Sequence, residues 1–86
     1  MKILITENTL VNFGDDRGGQ HCVAADIIDV TKPVAAQVVS ARRGLYVDKK
    51  DDPSKGGLNT ASQRELDAAE KTREARKKTV QTRAQN

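Results

Sequence analysis

The stretch Asp26–Val47, DIIDVTKPVAAQVVSARRGLYV, decides the fold, because strand, helix and strand signals follow one another there without a gap. The two-residue period of a strand places Ile28 and Val30 on one face, with Ile27 and Asp29 on the other. An alternation of apolar and polar positions is typical of a strand with one face against a core. The stretch therefore predicts architecture and holds no obvious catalytic set.

A short helix is predicted after that strand. Thr31 is expected to cap its first turn, and Pro33 fits an early helical position, where the N–H that proline lacks has no intrahelical partner. The predicted core stripe has helical spacing and comprises Val34, Ala35, Val38 and Val39. Arg42 and Arg43 are expected in the last turn, where positive charge suits the carbonyl end, and Gly44 is expected to end the helix in the left-handed conformation.

The remaining strands of the N-terminal half are predicted on either side of this stretch. Residues 2–6 (KILIT) are β-branched and apolar, which favours a short strand packed on one or both faces, and residues 45–47 (LYV) predict a closing strand. Residues 15–19 (DDRGG) form a turn signal between an apolar cluster at 10–13 and a strand over 20–30. These features predict a hairpin.

The composition changes after Asp48. Residues 49–59 hold charged residues, Pro53 and two glycines, which predicts a flexible linker. Ser62 and Glu65 have the spacing of a capping box, so a helix is expected to begin near residues 60–62. The predicted organisation is a small β-rich domain over 1–48, a linker over 49–59 and a charged helical arm over 60–86.

Charge divides the chain in the same way. Residues 1–48 carry five Lys and Arg against six Asp and Glu, a net of −1, whereas residues 49–86 carry ten against six, a net of +4. The arm is short of large apolar residues, so it is expected to be either a solvated helix or a segment that becomes ordered against a partner. The residues predicted to bind that partner are Leu66, Arg73, Arg76, Lys77, Lys78 and Arg83.

Catalytic and metal chemistry is poorly supported by the residue types present. His21 and Cys22 are adjacent, so a strand would point them to opposite faces, and Cys22 has no second cysteine for a disulfide. One His and one Cys fall short of a zinc set unless a neighbouring subunit contributes ligands. Asp26 and Asp29 are better explained as polar positions on a strand edge than as an acid/base pair. No catalytic, cofactor-binding or metal-binding residue is predicted.

Membrane and export signals are also weak. The apolar start MKILIT turns polar at Glu7, too soon for a signal peptide, and no apolar run reaches the roughly 18 residues of a membrane span. We therefore expect a soluble protein, made in a cytoplasm.

Nucleic acid is a possible partner of the arm. Six positive residues between Lys71 and Arg83 could contact phosphates, but the segment has no aromatic residue for base stacking. The charge predicts a generic polyanion contact or an acidic protein surface.

The N-terminal half resembles the small accessory proteins encoded in the head-assembly region of tailed bacteriophages. The resemblance is carried by the strand Ile3–Ile5, a glycine-containing turn, the step Ile27–Val30, the helix Val34–Arg43 and the strand Gly44–Val47. It covers about residues 1–48, and the rest of the chain departs from the pattern.

This resemblance implies a small SH3-like β-barrel for residues 1–48. Together with the elements predicted from the residues themselves, the expected fold is α+β, a small SH3-like β-barrel or a sheet with one short covering helix, followed by an extended linker and a charged C-terminal helix. It also implies a non-enzymatic virion protein that binds the capsid shell in a minor capsid, decoration or cement role. The partners would be the major capsid protein or other virion subunits, with many copies per particle. We further expect the arm, which has little core of its own, to bridge neighbouring subunits. The alternative is a small nucleic-acid-associated protein whose basic helix contacts phosphates non-specifically.

Overall fold

Strand β1 lies at the centre of the structure, which is a computed structural model. The structure describes the backbone of residues 1–14 and 16–85 and the side chains of residues 1–14 and 16–76. The elements are β1 (Lys2–Ile5), β2 (Thr9–Asn12), β3 (Gly19–Cys22), β4 (Ile27–Asp29), α1 (Lys32–Ser40), β5 (Gly44–Tyr46) and α2 (Gln63–Gln85).

The main sheet has three strands in the order β4-β1-β5, and both neighbouring pairs are antiparallel, so β1 is flanked on both sides. Ile3 lies opposite Ile28 of β4 and opposite Tyr46 of β5. Because β4 and β5 both run antiparallel to β1, they are parallel to each other, and α1 connects them. The segment from β4 to β5 is thus a split β-α-β unit with β1 inserted in the middle.

Both faces of this sheet are covered. On one face Ile3 and Ile5 are almost fully buried, in a core that includes the apolar side of α1 and side chains from β2, β3 and β5. On the other face Leu4 belongs to a second, smaller core with Ala61 and with Ala69 of α2. The result is three layers, with the sheet between the two helices.

The hairpin predicted around the Asp-Gly turn is present. Strands β2 and β3 pair antiparallel and form a separate two-stranded sheet, although Asp15 of the predicted turn lies outside the described residues. The single strand expected over 20–30 is wrong, because residues 23–26 turn the chain from the hairpin to the main sheet. Ala25 has a φ of +81° at this turn.

The predicted fold class, a small sheet with a covering helix followed by a charged helix, is confirmed. Within the described residues the strands form these two separate sheets and not one closed barrel. Ile28 and Val30 face inward while Ile27 and Asp29 are more exposed, as the two-residue period predicts.

The end of α1 differs from its prediction. The helix ends at Ser40, so Arg42 and Arg43 lie beyond it, and the left-handed residue is Arg42, with a φ of +61°. Gly44 instead belongs to β5, where a β-carbon would come within 2.8 Å of both Ile3 Cγ2 and Val38 Cγ1. Glycine is therefore needed there for close packing of α1 on the sheet and not for a turn.

The start of α1 also differs in detail. Thr31 occupies the cap position in an extended conformation, but its side chain makes no capping hydrogen bond. Its backbone carbonyl accepts from the Ala35 amide at 2.9 Å. Pro33 lies in the first turn, as predicted.

The segment 49–59, expected to be a linker, has more local structure than its composition predicts. It contains two 3-10 turns, at Lys49–Asp51 and Lys55–Gly57. The carboxylate of Asp52 accepts hydrogen bonds from the backbone N–H groups of Ser54 and Asn59 and from the hydroxyls of Ser54 and Thr60. Burial alone would raise the pKa of Asp52, but these hydrogen bonds lower it to about 2.

We predict that Gly44→Ala destabilises the fold by about 1–3 kcal/mol, because the added methyl group overpacks the contact between α1 and β1. Thermal and urea denaturation measure the loss. The matched control is Gly19→Ala in β3, where the nearest atom to a new β-carbon is Leu10 Cδ1 at 3.7 Å. Equal stability losses in the two variants would contradict this account of Gly44.

We also predict a loss of stability as the pH falls from about 4 to about 2, since the pKa of Asp52 is lowered from an ordinary 3.8 to about 2 in the folded protein. A carboxylate with a lowered pKa stabilises the fold above its unfolded pKa, and protonation removes that contribution. Urea unfolding at several pH values gives the free energy of unfolding as a function of pH. Between pH 4 and pH 2 this free energy should fall less steeply for Asp52→Asn than for Asp51→Asn. The same slope in both variants would rule out Asp52 as the source.

Candidate functional site

A groove of about 280 Å³ lies between β2 and α1. All four residues of β2 line one wall. One stripe of residues at helical spacing, on and just after α1, forms the other wall. Arg43 also lines the groove. The residues of this stripe are Val34, Gln37 and Val38 of α1 and Ala41, the residue that follows the helix.

The wall formed by β2 is an open strand edge. The Phe13 amide donates to the Gly18 carbonyl at 3.0 Å, which sets the alternation of the hairpin ladder. In an antiparallel pair, hydrogen-bonded and non-hydrogen-bonded positions alternate, so the peptide groups of Leu10 and Asn12 point away from β3. Among the described residues, no backbone hydrogen bond outside the ladder reaches the N–H or C=O groups of Leu10 and Asn12. Four backbone polar groups are thus available at this edge.

Leu10 adds an exposed apolar side chain to the same edge. Thr9 and Val11 are buried, so Leu10 and Asn12 occupy the outer face of the strand. The Leu10 side chain is 61% exposed, which is unusual for a large apolar residue in an otherwise alternating strand.

Among the described residues that line the groove, Arg43 is the one that carries a charge. Its Nη1 donates to the Thr9 hydroxyl at 2.8 Å, and its Nε lies 3.7 Å from a carboxylate oxygen of Glu7. About half of the Arg43 side chain remains exposed. The guanidinium is therefore held in place by Thr9 with donors still facing solvent.

The outer edges of the main sheet are covered to different extents. The edge of β5 is closed, because the Tyr46 amide donates to Asn59 and the Tyr46 carbonyl accepts from Ala61. At β4, Arg17 donates to the Asp29 carbonyl at 3.1 Å and also lies over the ring of Phe13. Protection of strand edges is common in folded proteins, which makes the unprotected edge of β2 a candidate for binding.

Three of the residues predicted to bind a partner contact this chain's own domain. Leu66 packs beside the second core. Arg73 donates to the Ala25 carbonyl at 2.6 Å, and Arg76 forms an ion pair with Asp26 at 3.2 Å. These contacts attach α2 to the turn between β3 and β4. The side chains of Lys77, Lys78 and Arg83 lie outside the described residues.

The capping box predicted at the start of α2 is confirmed. The Ser62 amide donates to Glu65 Oε1, and the Glu65 amide donates to Ser62 Oγ, both at 3.1 Å. The reciprocal bonds satisfy two amides at the helix start.

The side chains that could take part in catalysis are either exposed, buried or hydrogen-bonded within the fold, as follows. Cys22 is buried while His21 is exposed, as predicted for opposite faces, and burial raises the pKa of the Cys22 thiol. The carboxylate of Asp26 accepts from the Val23 amide, and that of Asp29 from the Met1 ammonium. The described side chains contain no group of three His, Cys, Asp or Glu placed to hold a metal ion. In the described part of the chain, no helix is both long and apolar enough to cross a bilayer.

The groove was not predicted from the sequence. The alternation of Thr9–Asn12 was a usable signal, since it leaves Leu10 apolar on the outer face. Nothing in the sequence places α1 or Arg43 next to that strand, because those contacts join residues more than 20 positions apart.

We predict that Arg73→Met loosens α2, since the guanidinium hydrogen bond to the Ala25 carbonyl is lost. A charge-assisted hydrogen bond of this kind contributes about 1.5 kcal/mol. Hydrogen exchange should become faster in residues 63–76, and Lys71→Met on the exposed face of the same helix is the control. Equal exchange in the two variants would mean that Arg73 does not hold the helix.

Comparisons of the chain with protein-family models, with curated protein sequences and with solved structures find no match.

Proposed function

We propose that this protein is a non-enzymatic structural component of a virion that binds the capsid shell, in a minor capsid, decoration or cement role. The resemblance of residues 1–48 to head-region accessory proteins of tailed bacteriophages supports the virion context. The observation that carries a binding role is the unpaired edge of β2, with the exposed Leu10 side chain beside it.

The edge of β2 offers both apolar surface and peptide groups to a protein partner. Covering an exposed leucine contributes on the order of 1–2 kcal/mol, and unpaired peptide groups offer directional hydrogen bonds to another chain. A partner that supplies both would be the major capsid protein or another virion subunit, present in many copies per particle.

The arm has a narrower role in this proposal than its composition suggests. Leu66, Arg73 and Arg76 are engaged with the chain's own domain. A contact that bridges neighbouring subunits would therefore depend on the C-terminal part of α2, which carries Lys77, Lys78 and Arg83.

Mass spectrometry of purified particles tests the proposed function. We expect the chain in intact particles at a constant ratio to the major capsid protein after density-gradient purification. A chain found only in the lysate and never in intact particles would refute the virion role. A variant truncated after Arg76 keeps the described contacts of α2 and tests whether residues 77–86 are needed for incorporation.

A second candidate is non-specific binding of nucleic acid by α2. It is favoured by the net charge of +4 on residues 49–86. Gel shifts on duplex DNA should then weaken steeply as salt rises, and replacing Lys77 and Lys78 by Gln should reduce binding. No shift even at low salt would remove this candidate.

A further inference from the structure

We infer that the groove between β2 and α1 receives an extended segment of a partner subunit, which adds to the edge of β2 as a further strand and places a carboxylate beside Arg43. This inference rests on the proposed binding role and names the chemistry of the partner. Three features support it, namely the open edge of β2, the groove wall formed by α1 and the charge of Arg43 at one end of the groove.

The ladder geometry determines where the segment bonds. Leu10 and Asn12 are two residues apart, and each presents one N–H and one C=O group away from β3. An extended chain alongside β2, about 4.8 Å away, matches two such positions with its own alternate peptide groups. Three or four residues of the segment are therefore enough to satisfy all four groups.

The walls of the groove determine which side chains fit. In an extended segment, alternate side chains point to the same face. Those on the groove face meet the wall formed by α1 and the residue after it, in which Val34 and Val38 are nearly buried and Gln37 and Ala41 are exposed. We therefore expect apolar residues at alternate positions of the segment, with polar residues between them.

The charge of Arg43 favours an acidic partner segment over this chain's own C-terminal tail as the occupant of the groove. Arg43 lies at the Thr9 end of the groove, and its distance of 3.7 Å from Glu7 leaves it available to a closer carboxylate. The segment from Lys71 to Arg83 carries six positive residues and only Glu74 as an acid, so Arg43 repels it. An acidic residue or a free carboxylate on the partner segment complements the site.

The outer edge of β3 is the natural comparison within the same hairpin. His21 lies directly opposite Leu10 in a non-hydrogen-bonded pair, so its peptide groups point outward on the other side. That edge lies outside the groove and has neither its apolar wall nor Arg43. We therefore expect the segment to bind at the edge of β2 and not at the edge of β3.

The test uses the full chain labelled with ¹⁵N and titrated with hexapeptides that are acetylated at the N-terminus and amidated at the C-terminus, so that the Asp side chain is the only carboxylate. The first probe is Val-Thr-Val-Thr-Val-Asp, the second has Lys in place of Asp, and the third carries N-methyl groups on alternate amides of the first. We expect the Leu10 and Asn12 amides to shift and to gain protection from exchange with the first probe. The Lys probe and the N-methylated probe should each bind at least about tenfold more weakly.

Two substitutions locate the site on the protein. Leu10→Pro removes an outward N–H that the fold does not use, and His21→Pro makes the same change at the opposed position on the other edge. We expect at least about tenfold weaker binding of the first probe to Leu10→Pro and unchanged binding to His21→Pro. Arg43→Gln should abolish the preference for Asp over Lys, and the ¹⁵N spectra of all variants check that they fold.

Several outcomes would overturn the inference. They are no binding of the first probe at millimolar concentration, equal losses in the two proline variants, or no preference for the acidic probe. Concentration-dependent protection of Leu10 and Asn12 without any peptide would show a second copy in the groove and would refute the acidic partner. If Leu10→Pro and Arg43→Gln enter particles at wild-type levels, the groove is not the binding site, and the virion role still stands. If the wild-type chain is absent from particles, the virion role itself is refuted.

Discussion

The burial of β1 on both faces is the constraint on which the rest of the structure depends. Ile3 and Ile5 point into the core under α1, while Leu4 points into the core under α2. A strand that is apolar on both sides needs a layer on each side, so both helices are required to keep its side chains from water. Gly44 completes this arrangement, because its missing side chain lets α1 approach the sheet closely enough to cover Ile3.

The second helix illustrates how tertiary contacts use charge that looks free in the sequence. Arg73 and Arg76 are held by the turn at Ala25 and Asp26, so two of the basic residues of the arm serve the fold. Ala25 has an unfavourable positive φ, which its hydrogen bonds to Ile5 and Arg73 compensate. The strained turn, the ion pair and the second core therefore support one another, and surface charge alone is a poor guide to a binding site.

The edges of the strands connect this architecture to function. Residues 59–61 close the edge of β5, and Arg17 covers a carbonyl of β4. In the part of the chain that the structure describes, no residue outside the hairpin pairs with the peptide groups on the groove side of β2. The hairpin is a separate sheet because the chain turns at residues 23–26, and this separation exposes an edge that a closed barrel would have hidden. The division of the strands into two sheets is thus the feature that leaves the edge of β2 open.

The sequence by itself determined the local elements. Two-residue alternation predicted the inward and outward faces of β4, and the spacing of Ser62 and Glu65 predicted the start of α2. The helical spacing of apolar residues predicted the covering helix. Each of these signals depends on residues that are close together in the sequence. Only the tertiary structure decided that Gly44 is a packing glycine, that Arg42 takes the left-handed conformation, that α2 covers the second face, and that Arg43 meets Thr9 beside an open edge. Each of these depends on which distant segments come together, and short-range patterns of residue type carry no information about such pairings.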